Sequence, residues 1–349
     1  MQTYLISPKI DYSSPVQGMF SLFSALGCEY HKKIKFCEFS FRHGPFKSKI
    51  KNNPVFHEIY FLDLIKQRLF DSNKSELVSF CFRADLLAFF LRKKSNKWVC
   101  FVRCDIFSLY KIETRFGFLK SCLHVFLLRS ADKVLVSSKF LERKFKAVGF
   151  THVYAVGNAE FSVIPKPRPT RFGSDQFVFG YFGGDSLNKG VRLVLNAVKF
   201  FSESVPDLPV KFIIGGSFSD NDFVNEFKSF SSVDFVGYCD VREFFQKIDV
   251  LLIPSYSEGT PRLGIEALTS KLPFIYRGGI GLDEVWSNPI YANNFEFEDD
   301  VTFVKTALGV IETLTQCERP GCLICYNFTR RGHLQSVGSQ LFGKFRNAG

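Results

Sequence analysis

At 349 residues the chain exceeds the size at which a single hydrophobic core stops growing, so two domains are expected. Hydrophobic residues make up 46% of it, and 43 are Phe, a bias so broad that no single Phe carries a functional signal. The formal charge of +11 is uneven: residues 1–165 hold 26 Lys and Arg against 13 Asp and Glu, residues 166–349 hold 19 against 21, and the halves therefore carry +13 and −2.

A basic first half points to an anionic partner, and without any motif that reads RNA or DNA a membrane surface is favoured over nucleic acid. No apolar run reaches the roughly 18 residues that span a bilayer. Residues 1–10 lack the charged, apolar and cleavage regions of a secretory leader. The expectation is a cytoplasmic protein, with peripheral attachment to the inner face of the membrane as an option.

Along the first half, β-type runs at 3–6, 58–62, 77–80, 98–102, 133–136 and 152–156 alternate with longer mixed segments, the pattern of a parallel sheet with crossover helices. Residues 115–129 interleave Phe116, Phe118, Leu119, Leu123, Phe126 and Leu127 with Arg115, Lys120 and His124. That stretch reads either as an amphipathic contact with an anionic membrane or as an ordinary core-facing helix. At 162–170 Pro165, Pro167 and Pro169 enforce an extended, semi-rigid hinge between an expected first domain, 1–161, and a second, 171–330. Residues 331–349 are expected to form a closing helix that packs back towards the first domain.

After the hinge, runs at 177–182, 210–214, 233–236, 250–253 and 273–276 are mostly separated by helix-length segments. Two doubly wound α/β domains facing across a cleft would gather the carboxyl ends of both sheets, where ligands of such sheets bind. The spacing of Cys317, Cys322, Cys325 and His333 leaves a zinc site as a weak alternative to reduced, buried thiols.

The most informative segment runs from Asp249 through Pro254-Ser-Tyr-Ser-Glu258-Gly-Thr260-Pro261-Arg262-Leu263 to Glu266. A buried strand ends at Pro254, and a helix is expected from Pro261 with Thr260 as its N-cap. The amides of Arg262 and Leu263 would then offer donors and partial positive charge to a diphosphate. As acceptors, Glu258 suits sugar hydroxyls and Glu266 ribose hydroxyls; the alternative is a solvated pair of acids at a helix start.

The Glu, seven residues, Glu arrangement after an apolar strand and Pro-Ser resembles the retaining glycosyltransferases of family 4, the group 1 type with the GT-B fold. Further similar segments are Phe179-Gly-Tyr-Phe-Gly183-Gly184-Asp-Ser-Leu-Asn-Lys189-Gly190, Ile213-Ile-Gly215-Gly216, Phe235-Val-Gly237-Tyr238 and Gly278-Gly279-Ile280-Gly281. In the first half, Ser130-Ala-Asp132-Lys-Val-Leu-Val-Ser137-Ser138 and the glycine loop Ser14-Pro15-Val16-Gln17-Gly18 are thinner matches.

The resemblance implies catalytic roles for Glu258, Asp105 and Lys189. It implies donor contacts from Gly18, Arg103, Gly183, Lys189, Gly216, Tyr238, Glu258, Thr260, Arg262, Leu263 and Glu266. Lys189 reads otherwise as a surface lysine, Gly18 and Gly184 as turn glycines, and Asp105 as a local cap. Two positions depart from the family: Gly184 stands where members commonly carry an Arg, and Cys104-Asp105 where many have His-Asp.

The implied activity is retaining transfer of a sugar from a nucleotide-diphosphate sugar to a saccharide or lipid-linked acceptor, with no cofactor and no metal. A non-catalytic GT-B-like protein whose basic first domain binds a polymer is the alternative.

Overall fold

The computed structural model describes residues 2–7, 34–40, 56–60, 75–91, 97–113, 115–156, 176–270, 272–282 and 294–315. The chain divides into two compact units, one of residues 1–161 with Glu258–Thr260, the other of Ser162–Ser257 with Pro261 onwards. The proline hinge and the expected closing helix at 331–349 lie outside the described residues.

In the first unit the strands are β1 (Gln2–Ser7), β2 (Ile34–Ser40), β3 (Phe56–Tyr60), β4 (Ser75–Ser79), β5 (Lys97–Val102), β6 (Lys133–Val136) and β7 (Val153–Ala155). They form one parallel sheet in the order β3-β2-β1-β4-β5-β6-β7, with Leu5 of β1 in register with Phe36 on one side and Val78 on the other. Among the described residues its helices are α1 (Phe82–Leu91), α2 (Ile106–Glu113), α3 (Gly117–Arg129) and α4 (Lys139–Ala147). Trp98, Cys100 and Val102 of β5, Val134 and Val136 of β6, and Leu127, Leu128, Leu141 and Phe145 from the helices form one buried cluster.

The second unit begins with β8 (Phe177–Phe182), a 3-10 turn (Leu187–Lys189), α5 (Val191–Ser204), β9 (Val210–Gly215), α6 (Asn221–Lys228) and β10 (Val233–Gly237). It continues with α7 (Val241–Phe245), β11 (Val250–Ile253), α8 (Arg262–Thr269), β12 (Phe274–Arg277), β13 (Asn294–Phe297) and α9 (Asp300–Thr315). All pairings are parallel and the order is β10-β9-β8-β11-β12-β13, with the reversal between β8 and β11.

Successive residues of β11 enter opposite cores: Val250 and Leu252 pack with Phe179, Phe212 and α5, whereas Leu251 and Ile253 pack with Phe244, Ala267 and Phe274. Both faces of the sheet are therefore covered by helices, which is why its strands read as continuous apolar runs. Several Phe residues pack here, as in the stacked Phe179 and Phe212 rings 5.5 Å apart.

An Asp preceding a strand performs the same task in each sheet. Asp132 Oδ2 accepts from Trp98 N at 2.7 Å, and Asp249 Oδ2 accepts from Val178 N at 2.8 Å. Each satisfies a backbone donor at the start of the neighbouring strand. Two strands were not foreseen from the sequence, β2 and β13; both mix polar residues into short runs, which hides the period.

Candidate functional site

In a doubly wound sheet ligands bind beyond the carboxyl ends of the strands where the strand order reverses. In the second unit that point is flanked by the loops after β8 and β11. The two loops are bonded together: Asn188 Nδ2 donates to Ser257 O at 3.0 Å, and Tyr256 N donates to Asn188 O at 2.8 Å. Gly190, with φ +75°, lies so near Pro254 that a Cβ would sit 2.4 Å from the Pro254 carbonyl oxygen, so only glycine allows this approach. Lys189, half-buried, is thereby fixed against the strand end from which the Glu258 loop departs.

Gly183 and Gly216 follow the ends of β8 and β9, where Gly184 N donates to Gly215 O at 3.4 Å and Gly216 N to Gly237 O at 2.8 Å. Tyr238 follows β10; its ring is exposed and lies 6.2 Å from that of Phe182. Asp185 clamps this edge by accepting from the backbone and hydroxyl of Ser219 and from Asp220 N. Burial pushes its carboxyl up, but these hydrogen bonds together outweigh it and hold the pKa below the usual range.

Helix α8 starts at Arg262, one residue later than expected. Pro261, with ψ 123°, occupies the N-cap position, and its side chain cannot accept a hydrogen bond. Thr260 is not the cap: its hydroxyl donates to Ser137 O at 3.2 Å, and Ser138 Oγ donates to Gly259 O at 2.9 Å. Residues 258–260 group with the first unit. Glu258 is half-buried, whereas Glu266, on the second turn of α8, is buried with Oε1 2.7 Å from Arg262 Nε. Burial raises the Glu266 pKa, and the Arg262 charge and hydrogen bond offset only part of that rise. Leu263 packs partly buried against the core beneath α8.

Over this same stretch, residues 176–310, the chain matches the family model for glycosyl transferases group 1. This stretch is thus similar to the group 1 glycosyl transferases. Solved structures share this fold. HepE from Anabaena, determined with UDP and glucose, is 15% identical over 99% of this chain and 98% of its own, with a TM-score of 0.72. Sucrose-phosphate synthase from Thermosynechococcus elongatus is 15% identical over 99% of both chains, with a TM-score of 0.67. TarM from S. aureus, determined with Fondaparinux, alpha-GlcNAc-glycerol and UDP, is 11% identical over 99% of both, with a TM-score of 0.68. The fold is the GT-B fold of glycosyltransferases. No curated protein sequence matches the chain.

The backbone at Gly184 accounts for the absence of an arginine there. Gly184 has φ +66°, and a Cβ there would lie 2.1 Å from Ser217 O, so this backbone cannot carry an Arg side chain. In the first unit, Arg103 follows β5 and its carbonyl accepts from Ser137 Oγ at 3.3 Å. Asp105 is buried as a cap of α2: Oδ1 accepts from Phe107 N at 3.1 Å, and Oδ2 from Ser108 Oγ at 2.7 Å and Lys144 Nζ at 2.6 Å. These contacts fit the local-cap reading of Asp105. Gly18 and its glycine loop, and the cluster Cys317, Cys322, Cys325 and His333, lie outside the described residues.

Sequence reasoning passed over Asn188, Asp185 and Arg277. Arg277 ends β12, stacks 4.1 Å from the Tyr256 ring and pairs with Asp300 at 2.7 Å. It steadies the loop that leads to Glu258. Asn188 adjoined the lysine already singled out, but only the fold reveals that its amide, rather than a charge, joins the two loops.

Proposed function

We propose that the protein is a retaining glycosyltransferase that moves a sugar from a nucleotide-diphosphate sugar to a hydroxyl acceptor in polysaccharide, lipopolysaccharide or glycolipid synthesis. The observation that carries this reading is the coincidence of the group 1 match at 176–310 with the reversal point between β8 and β11, where the Lys189 turn is hydrogen-bonded to the Ser257 loop.

In this reading the leaving nucleotide diphosphate lies at the start of α8 and against Lys189. The helix start and the lysine stabilise the negative charge that develops as the sugar departs. Arg262 at the first position of α8 opposes the helix dipole, and its pair with Glu266 offsets that placement. Glu266 accepts from ribose hydroxyls and Glu258 from sugar hydroxyls. Gly183, Gly216 and Tyr238 border the donor at neighbouring strand ends. Charge neutralisation by these groups makes no demand for a metal or other cofactor.

UDP in the HepE structure makes uridine diphosphate sugars the first donors to try. Thermal-shift screening against UDP, GDP, ADP, CMP and dTDP sugars identifies the base, since a ligand stabilises by the logarithm of its concentration over its affinity. Proton NMR of the product with the preferred donor then gives the anomeric configuration. An inverted product would overturn retention, and no stabilisation by any nucleotide sugar would favour the non-catalytic alternative.

A further inference from the structure

Helix α3 presents its polar side inwards. At 3.6 residues per turn Gly117, Ser121, His124 and Leu128 share one face, and Leu119, Cys122, Leu123 and Phe126 share the opposite one. Ser121 Oγ donates to Ile106 O at 2.9 Å. His124 Nε2 lies 2.6 Å from Asp85 Oδ2 of α1, and its Nδ1 lies 2.8 Å from the Tyr110 hydroxyl of α2. Asp85 also accepts from Ser79 Oγ at 2.6 Å, and Ser79 Oγ in turn accepts from Trp98 Nε1 at 2.8 Å.

This buried network fixes the rotation of α3. Turning the helix to bury its apolar face would strip Asp85 and Tyr110 of a buried partner, which is more costly than leaving rings in water. The consequence is an exposed apolar surface: Phe116 and Phe118 are each 72% exposed, Leu119 67% and Phe126 58%. It continues onto α1 through Phe89, whose ring lies 6.0 Å from Phe126 and 5.4 Å from the exposed Phe90. Soluble monomers rarely leave so many large apolar side chains together in water without a partner for them.

Charge identifies the partner. Residues 82–133 contain 11 Lys and Arg against 4 Asp and Glu. Two of the four acids, Asp85 and Asp105, are buried and paired. Lys111, Arg115 and Arg129 are exposed, Arg115 just before α3 and Arg129 at its end. A second copy of the same face would bring like charges together, whereas an anionic bilayer meets both the rings and the cations.

We infer that the outer face of α3, with Phe90 of α1, seats the protein on an anionic lipid surface. The aromatic rings enter the headgroup boundary, and Lys111, Arg115 and Arg129 meet lipid phosphates. The inference is independent of sugar transfer and of the donor site.

Flotation of the full chain with phosphatidylcholine vesicles, with and without phosphatidylglycerol, tests it. The expected result is binding to the anionic vesicles that weakens from low to high salt, with none to neutral vesicles. The triple variant Phe118→Ser, Leu119→Ser, Phe126→Ser should lose binding by about tenfold or more while keeping its melting temperature, because these side chains are exposed. If that variant does not fold, the Lys111→Gln, Arg115→Gln variant should weaken binding at low salt. Absence of flotation at low salt, equal binding to neutral vesicles, or undiminished binding by the folded variants would overturn the inference. So would a dimer, seen by light scattering, that the triple variant abolishes while no vesicle is bound.

Discussion

Nε of Arg262 lies 2.7 Å from Oε1 of Glu266, one turn further along α8. The carboxylate proposed to meet ribose is thus buried and held beside a cation at the helix start. Replacing Glu266 with Ala should weaken donor binding by about 1.5–3 kcal/mol, the range for hydrogen bonds to a charged group. That corresponds to a rise in donor KM of roughly tenfold or more. Unchanged donor kinetics in a folded Glu266→Ala variant would remove Glu266 from the donor site.

The same geometry sets a pH dependence. Burial places the Glu266 pKa above its ordinary value of 4.5 despite Arg262. A raised carboxylate pKa means that the folded state favours the protonated form. Stability from this group is therefore fully present below 4.5 and is lost as pH rises through the elevated folded value. Donor binding runs the other way, because the ionised form is the better acceptor of ribose hydroxyls. Titration of nucleotide binding over a pH series should show affinity falling on acidification before an ordinary carboxylate would titrate. The Glu266→Gln variant should lack that limb, and an identical profile in both proteins would assign it elsewhere.

Lys189 should matter more than its neighbour Arg192, which is exposed on the first turn of α5. Only Lys189 sits in the turn bonded to the Ser257 loop at the reversal point. Losing one preorganised group at a site of developing charge costs about 10²–10³ in kcat. Steady-state kinetics of Lys189→Ala and Arg192→Ala separate the readings: equal and small losses would return Lys189 to the status of a surface lysine.

The fold of the second unit was legible because its buried parallel strands are continuous apolar runs and its turns carry Gly183, Gly216 and Gly237 at the strand ends. The order of those segments also singled out the loops after β8 and β11 as the candidate site. Side-chain placement was less legible. The change from Thr260 to Pro261 as the N-cap is a one-residue shift that depends on where the Thr260 hydroxyl finds an acceptor, and that acceptor, Ser137 O, is 123 positions away in sequence. The rotation of α3 was equally hidden, since it follows from Asp85 and Tyr110 and not from the helix's own pattern.

Restoring the family arginine should fail. With φ +66° and Ser217 O in the path of a Cβ, Gly184→Arg forces a side chain into a left-handed backbone, at a cost of about 1–2 kcal/mol before the steric conflict is added. A lower melting temperature with no gain in nucleotide affinity is the expected outcome. Tighter donor binding with full stability would mean that the loop adapts and that the phosphate site accepts a further cation.

Asp105 offers the sharpest contrast between a residue of the fold and a residue of the reaction. Its carboxylate caps α2 through Phe107 N and Ser108 Oγ and pairs with Lys144, which is itself partly exposed. Asn is as good a cap as Asp, so Asp105→Asn should lose mainly the screened Lys144 pair and melt close to the parent. Asp105→Ala loses the cap as well, at about 0.5–2 kcal/mol, and should melt several degrees lower. If the role is structural, kcat/KM per folded molecule is retained in Asp105→Asn and tracks the folded fraction in Asp105→Ala. A large fall in kcat for Asp105→Asn at unchanged melting temperature would instead show that the charge serves the transfer step, and that the bonds to Ser108 and Lys144 rearrange when substrate is bound.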